Sequence, residues 1–424
     1  MKQFPVLKKQ FSALILLAVF ITPLVFSPFF SSAQTATEIQ NRIEEKDAEI
    51  RKLEKEIASY QSELEGLDKQ KSSLQGEIRQ LDLTRKKLNA DIAVTGNKID
   101  QTNLKIEDLG LDIGDKETSI QNNLESIRSG IQSMNETEEK SLVEVMLSDQ
   151  DFSSLWGDLD NLLAVRENLQ QNIIALRETK SRLEDTRTET IAAKNELTRL
   201  KAQLSDQQKI VVQNTNEKNK LLAQTKNSEA NYQKLLKERL AQKDAFEKEL
   251  EDYEAQLQFI LDPSKLPKGR ILSWPLDKIF VTSPYAPRWG GFHRGTDFRA
   301  SVGTQIKAVA NGVVKGTGDT DICCPGASFG KWIFIEHTNG LSSTYAHLSL
   351  ISVSKDQKVA RGQVIGYSGN TGSSTGPHLH VSLYVSSGVK VDSFPSKSYP
   401  GKTLIQPISA TGAYLDPMKY LPPL

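Results

Sequence analysis

The chain has 424 residues and balances 53 Lys+Arg against 53 Asp+Glu, a length for two or three domains of about 150 residues each. The charge balance excludes a polybasic nucleic-acid coat, so no nucleic acid is expected as a partner. Two cysteines exclude a disulfide-built scaffold.

At the N-terminus, Lys2, Lys8 and Lys9 precede an apolar run from Phe11 to Phe30, and Ser31-Ser32-Ala33 closes it with small residues. Basic, apolar, small is the order of a secretory signal peptide, here residues 1–33 with cleavage expected after Ala33. Pro23 and Pro28 would interrupt a membrane helix. A retained N-terminal membrane anchor is the alternative, since about 20 apolar residues can just span a bilayer. Either reading makes the rest of the chain extracytoplasmic: secreted, periplasmic or cell-wall associated.

No proline falls between Phe29 and Asp262. Stepping by sevens from Ile43 to Met134, twelve of fourteen positions are apolar, the exceptions being Lys71 and Arg85. A second seam runs by sevens from Leu155 to Val211 with eight of nine apolar, and Asn135 to Asp151 between them is mostly acidic and polar. Sustained heptads with Glu and Lys between them signal a coiled coil. Residues 36–262 are therefore expected to form a coiled-coil hairpin with its tip near 135–165, each arm of about 100 residues reaching roughly 150 Å. The seam suits pairing within one chain or between two copies, a homodimer. Gly66, Gly76, Gly96, Gly110 and Gly114 are expected to bend or break the first arm. Phe152, Leu155, Trp156, Leu159 and Leu163 gather apolar groups at the tip, which suits a partner-docking surface on a regulatory lever. The plainer readings are a spacer or dimerisation rod whose tip residues merely pack the end of the hairpin.

Residues 263–271, with Pro263, Pro267 and Gly269, read as a linker. From Pro263 onward the chain holds 17 Lys+Arg against 8 Asp+Glu, a net of +9 that leaves −9 for the remainder. All five histidines and both cysteines lie in this C-terminal part. Short β-branched runs such as Lys331 to Glu336, punctuated by glycine, predict an all-β, antiparallel domain over residues 272–424.

Three pieces of that domain carry chemistry: Gly291 to Phe298 with His293 and Asp297, Ser343 to Leu348 with His347, and Gly372 to Val381 with His378 and His380. On a strand, His378 and His380 project from one face while Leu379 enters the core. Two imidazoles on a rigid face make half of a metal site, to which Asp297 can add oxygen and His293 nitrogen. Three His or carboxylate ligands plus water describe a catalytic zinc. Four histidines and one aspartate exceed that need, and the surplus imidazoles suit general acid–base work in hydrolysing a carbonyl. Each piece alone is weak, but together they hold every histidine of the chain except His337. His337, before the Thr338-Asn339-Gly340 turn, reads as structural. Cys323 and Cys324 are consecutive and left open between a vicinal disulfide, free thiols and pairing with another chain.

The His293-x-x-x-Asp297, Tyr345-Ala-His347-Leu348 and Ser374-to-His380 pieces together resemble the signatures of lysostaphin-type (LytM) zinc metallopeptidases. The likeness runs from about Trp274-Pro275 to Tyr420-Leu421 and includes Ser283 to Arg288, Ala308 to Gly312 and His337 to Gly340. The resemblance implies one Zn2+ held by His293, Asp297 and His380, with His347 and His378 as catalytic non-ligand histidines. It also implies cleavage of cross-links or stem peptides of peptidoglycan, which the +9 domain would attract. Ala286 and Ser382 depart from the family pattern, where Gly and Glu are usual, and the Gly316–Phe329 loop is long. Signal, coil and zinc domain together resemble EnvC-like, division-associated wall hydrolases. There the coil docks on an FtsE–FtsX-type membrane complex, a role the tip would serve here. The competing readings are a non-catalytic, murein-binding activator of a separate amidase, and a coil that inhibits the enzyme.

Overall fold

The computed structural model describes residues 36–67, 73–138, 152–257, 259–262, 264, 266–288 and 291–424. The signal-peptide residues lie outside the described residues, as do the side chains of Phe152, Leu155, Trp156 and Leu159. The described chain is a long helical region followed by an antiparallel β-domain. No described helix is long and apolar enough to cross a membrane.

The helical region holds α1 (Ala36–Leu67), α2 (Leu74–Glu138), α3 (Phe152–Thr225) and α4 (Glu229–Gln256). Helix α2 runs unbroken through Gly76, Gly96, Gly110 and Gly114, with open space where three of these would carry a Cβ. It lies antiparallel to α3, with Lys105–Glu189, Arg187–Glu117 and Lys218–Asp82 pairing across the two. It also lies antiparallel to α1, through Gln101 on Asp47 and Lys46 on Asn97. The first heptad seam therefore belongs to two helices that fold against each other, not to one arm. The reason is that a seam of apolar residues is buried equally well by the next helix of the same chain. Exposed pairs of this kind set register more than they stabilise.

Helix α3 ends where Lys226 and Asn227 take positive φ (49° and 56°), a left-handed turn that reverses the chain into α4. Leu74, Leu221 and Tyr232 bury one another there, joining α2, α3 and α4. The arm also packs on the β-domain, where Leu88 and Ile210 bury against Tyr367.

In the β-domain, β1 (Val281–Ser283), β4 (Thr296–Arg299), β11 (His378–Val385), β8 (Leu341–Ile351), β7 (Lys331–His337), β6 (Gly312–Asp319) and β9 (Lys358–Val359) lie side by side in that order. β12 (Val389–Ser396) and β13 (Lys402–Ser409) form a separate hairpin, and β2 (Ala286–Arg288) pairs with β3 (Gly291–His293). Strand β11 alternates: Leu379, Val381 and Leu383 enter a core with Phe298, Ile333, Ile335 and Tyr345, each burial contributing about 1.5–3 kcal/mol. His378, His380, Ser382 and Tyr384 therefore share the other face. Leu266 and Ile271 pack on the same core and Arg270 donates to Leu421 O at 2.8 Å, so the stretch read as linker is partly built into the domain.

Candidate metal centre and its cleft

Strand register brings the histidine pieces together. His380 on β11 stands opposite Asp297 on β4 and beside Ala346 on β8. That puts His347 next to the same face, and β3 delivers His293 from above. Gly295 clears the way: a Cβ there would lie 2.4 Å from Cε1 of His380. Ligand atoms of His293, Asp297 and His380 all lie within 4.8 Å of one another. His380 Nδ1 is 2.8 Å from Asp297 Oδ1, and His293 Nε2 is 3.2 Å from both.

The protons decide what this cluster is. His293 Nδ1 lies 2.8 Å from Pro284 O, which can only accept, so Nδ1 carries the hydrogen and Nε2 turns a lone pair inward. Ser382 Oγ donates to Arg294 O at 2.9 Å and so accepts from His380 Nε2 at 2.8 Å, leaving His380 Nδ1 as the inward lone pair. Burial lowers the His380 pKa, which keeps the ring neutral. Three acceptors without a proton between them converge on one point. Such a set fits a divalent cation, and its nitrogen and oxygen donors without thiolate fit zinc.

His347 and His378 flank the cluster, with ring centroids 4.7 Å apart. His347 Nδ1 donates to Thr371 O and His378 Nδ1 to Gly376 O, both at 2.8 Å, leaving Nε2 of each as the acceptor. Burial drives the His347 pKa well down, helped by His378 and His380. His347 has φ +61°, a left-handed backbone that non-glycine residues adopt at a cost and that concentrates at functional sites. His378 Nε2 is 3.6 Å from Asp297 Oδ1 and outside the three-residue cluster. The strand pair thus contributes one imidazole to the cluster and one beside it, although both share a face. His337 lies elsewhere, buried, with Nε2 2.8 Å from Ser343 Oγ, and burial pushes its pKa down to about 4.

These residues floor a cleft of ≈ 540 Å³ whose other wall is the arm. Helix α4 and its C-cap place Phe246, Leu250, Tyr253 and then Leu257 against Cys324, Ala327, Phe394, Leu404 and Ile408. Phe246 is fully buried and meets Phe394 edge-on at 6.0 Å between centroids. The adjacent stripe carries Glu247, Glu251 and Glu254 into the cleft. Glu247 reaches Ser373 Oγ at 3.0 Å, and Glu251 reaches Arg294 at 3.2 Å. Glu254 accepts from Tyr414 OH at 2.7 Å, and burial raises its pKa to about 7. Cys323 and Cys324 form a vicinal disulfide in the loop beneath Phe246. Sequence reasoning missed this wall. Its signal was present as an apolar i, i+4, i+7, i+11 stripe beside an acidic one in the last helix.

Residues 291–393 match the sequence profile of Peptidase family M23. The peptidoglycan DD-endopeptidase ShyA of Vibrio cholerae is 45% identical over 105 residues, 25% of this chain and 22% of that protein. The DD-carboxypeptidase/endopeptidase Mpg of Neisseria meningitidis is 38% identical over 120 residues, 27% of this chain and 26% of that protein. Among solved structures, the catalytic domain of lysostaphin from Staphylococcus simulans is 30% identical, covering 33% of this chain and 90% of that one with a TM-score of 0.25. The chain thus carries a Peptidase family M23 domain of the LytM/lysostaphin type. It spans about a quarter of the length of the curated relatives it matches.

Proposed function

We propose that the protein is an extracytoplasmic, zinc-dependent peptidoglycan hydrolase that cuts peptide cross-links or stem peptides, and that its helical arm regulates it. The observation that carries this is the convergence of three proton-free acceptors, His293 Nε2, Asp297 Oδ1 and His380 Nδ1, beside two further imidazoles. The M23 match and relatives called peptidoglycan endopeptidases support the substrate class.

His293, Asp297 and His380 would hold the ion. When bound, zinc supplies Lewis acidity toward a peptide carbonyl and toward water. The chain's residues do the rest. Neutral His347, fixed through its Nδ1–H on Thr371 O, offers Nε2 to take a proton from the attacking water. His347 then returns that same proton to the leaving amine, while His378, fixed through Gly376 O with its ring centroid 4.7 Å from that of His347, offers Nε2 as a second acceptor that orients the attacking water. Phe329 and the arm exclude bulk water from this side of the cleft.

The regulatory part rests on α4, which walls the cleft over the ligand set and narrows the way in for a peptide strand. The protein is therefore inhibited in this state, and pulling on the tip of the α2–α3 pair would withdraw α4. A docking site for an FtsE–FtsX-type complex at Phe152, Leu155, Trp156 and Leu159 would supply that pull in cell division or wall remodelling. The alternative, a non-catalytic activator of a separate amidase, has no need of two positioned imidazoles beside the ligand set. Purified peptidoglycan incubated with the full chain and with residues 268–424 separates these readings. We expect zinc-dependent peptide cleavage, faster without the arm; wall binding with no cleavage by either would overturn the enzyme.

A further inference from the structure

On the β-domain side of the cleft two arginines stand beside the metal cluster, and the arm across from them supplies their counter-charges. Arg288 Nη2 lies 3.5 Å from Glu247, and Arg294 lies 3.2 Å from Glu251 and 3.9 Å from Glu254. Among the described residues these are the charged partners of both guanidinium groups. The side chain of Arg294 is 19% exposed, sits 5.7 Å from the Tyr414 ring centroid, and directly follows His293 in the chain. The β-domain contributes one acidic residue to the cleft, Asp297, and that is committed to the cluster. When α4 leaves, two guanidinium groups a few residues from the cluster lose their carboxylates, and a partly buried guanidinium without a partner is costly.

We propose that Arg288 and Arg294 form a carboxylate subsite, and that Glu247 and Glu251 occupy it as stand-ins for the substrate. The inference rests on the hydrolase reading and narrows it: the substrate is an acidic peptide, a stem-peptide strand with free carboxylates flanking the bond that breaks. A neutral bridge, or a stem whose carboxylates are amidated, lacks the group that planar guanidinium donors bind in pairs. Arg294 sets the carboxylate within a residue or two of the reacting carbonyl, because it neighbours His293. Arg288, nearly half exposed, reads a second carboxylate further along the strand. The arm's acidic stripe then has two effects, closing the cleft and neutralising the groups that would recognise substrate.

The test uses the full chain with Glu247→Gln and Glu251→Gln, which vacates the subsite without removing the arm. The probes are a soluble cross-linked stem-peptide dimer with free carboxylates and its carboxamide twin, with binding followed by calorimetry and cleavage by chromatography. The acid form is expected to bind at least ten-fold more tightly, and adding Arg288→Gln or Arg294→Lys is expected to erase most of that preference. In cleavage the loss is expected in KM, with kcat changing less. Equal binding of the two probes, no binding of either, or a preference that survives both arginine changes would overturn the subsite. Acid-selective binding without any cleavage supports the subsite and sinks the hydrolase reading. Equal cleavage of both probes keeps the hydrolase and sinks the subsite. Arg288→Gln lies on an exposed edge, so its result stands even if Arg294→Lys fails to fold.

Discussion

The floor and the lid of the cleft are held by different kinds of force. On the floor, each of the four histidines is fixed twice, by its strand and by a hydrogen bond from one ring nitrogen to Pro284 O, Ser382, Thr371 O or Gly376 O. The lid is held by an apolar stripe anchored on Phe246 and Tyr253, by Glu249 on the Ser396–Ser398 turn, and by Glu247 and Glu251 on guanidinium groups that a ligand could equally satisfy. A floor built on backbone acceptors has one low-energy arrangement. The proposed regulation asks a lid built on exchangeable ion pairs to have two, docked and displaced, with an energy difference that mutation, pH or a partner can tip. Rigidity is thus placed where chemistry needs geometry, and exchangeable contacts where the proposed regulation would need a choice.

The sharpest way to break this contrast is at the floor. Asp297→Ala or His380→Ala is expected to abolish both bound zinc and peptide cleavage, measured as metal content and fragment release. Metal retained at full occupancy would end the assignment. Next, His347→Ala and His378→Ala are each expected to lower kcat by roughly 10²–10⁴-fold while zinc content is unchanged. Cleavage that survives both removes these imidazoles from the mechanism.

The lid should respond in the opposite direction. Phe246→Ala deletes a fully buried ring, a loss of about 3–5 kcal/mol, and is expected to raise cleavage by the full chain and hydrogen exchange in α4 together. Glu254 adds a pH dependence. Its carboxyl faces Arg294, Glu251 and Tyr414, and burial lifts its docked pKa from 4.5 to about 7. A raised carboxylate pKa means docking is fully favoured below about 4.5 and weakens as pH rises through about 7, by up to roughly 3 kcal/mol. Protease cleavage of α4 at pH 5 and pH 8 checks the sign, with the faster digestion expected at pH 8. Glu254→Gln should flatten the difference.

Much of the floor was legible in the sequence because strands translate spacing directly into facing. His378 and His380 two residues apart had to share a face, and Leu379 had to enter the core. The choice of ligand was less legible: face-sharing alone does not say that His380 joins His293 and Asp297 while His378 stands beside them. That depends on the β4–β11 register and on the space left by Gly295, which are tertiary facts. The helical region was legible as helix but not as pairing. Apolar heptads state that a seam must be buried and leave open by what, so one long arm and the two antiparallel helices α1 and α2 carry the same pattern. The lid was hidden for a related reason. Glu247, Glu251 and Glu254 look like any solvated acidic face until Arg288 and Arg294 are seen across from them.

The smallest effect tests the least familiar feature of the floor. Where Glu is usual, Ser382 passes a hydrogen bond from His380 Nε2 on to Arg294 O. A hydroxyl holds the tautomer as a carboxylate would but adds no negative charge, so it orients the ring without making it more basic. Ser382→Ala removes the acceptor and leaves a buried N–H unpaired, so the ring can exchange its proton to Nδ1 and lose the inward lone pair. Zinc affinity, measured by chelator competition, is expected to fall about 10- to 100-fold with the fold intact by circular dichroism. A carboxylate at this position restores the acceptor that Ser382→Ala removes, so Ser382→Glu is expected to retain zinc where Ser382→Ala loses it. Equal affinity in all three proteins would mean that the ring is held by packing alone, and the doubly fixed floor would reduce to strand register.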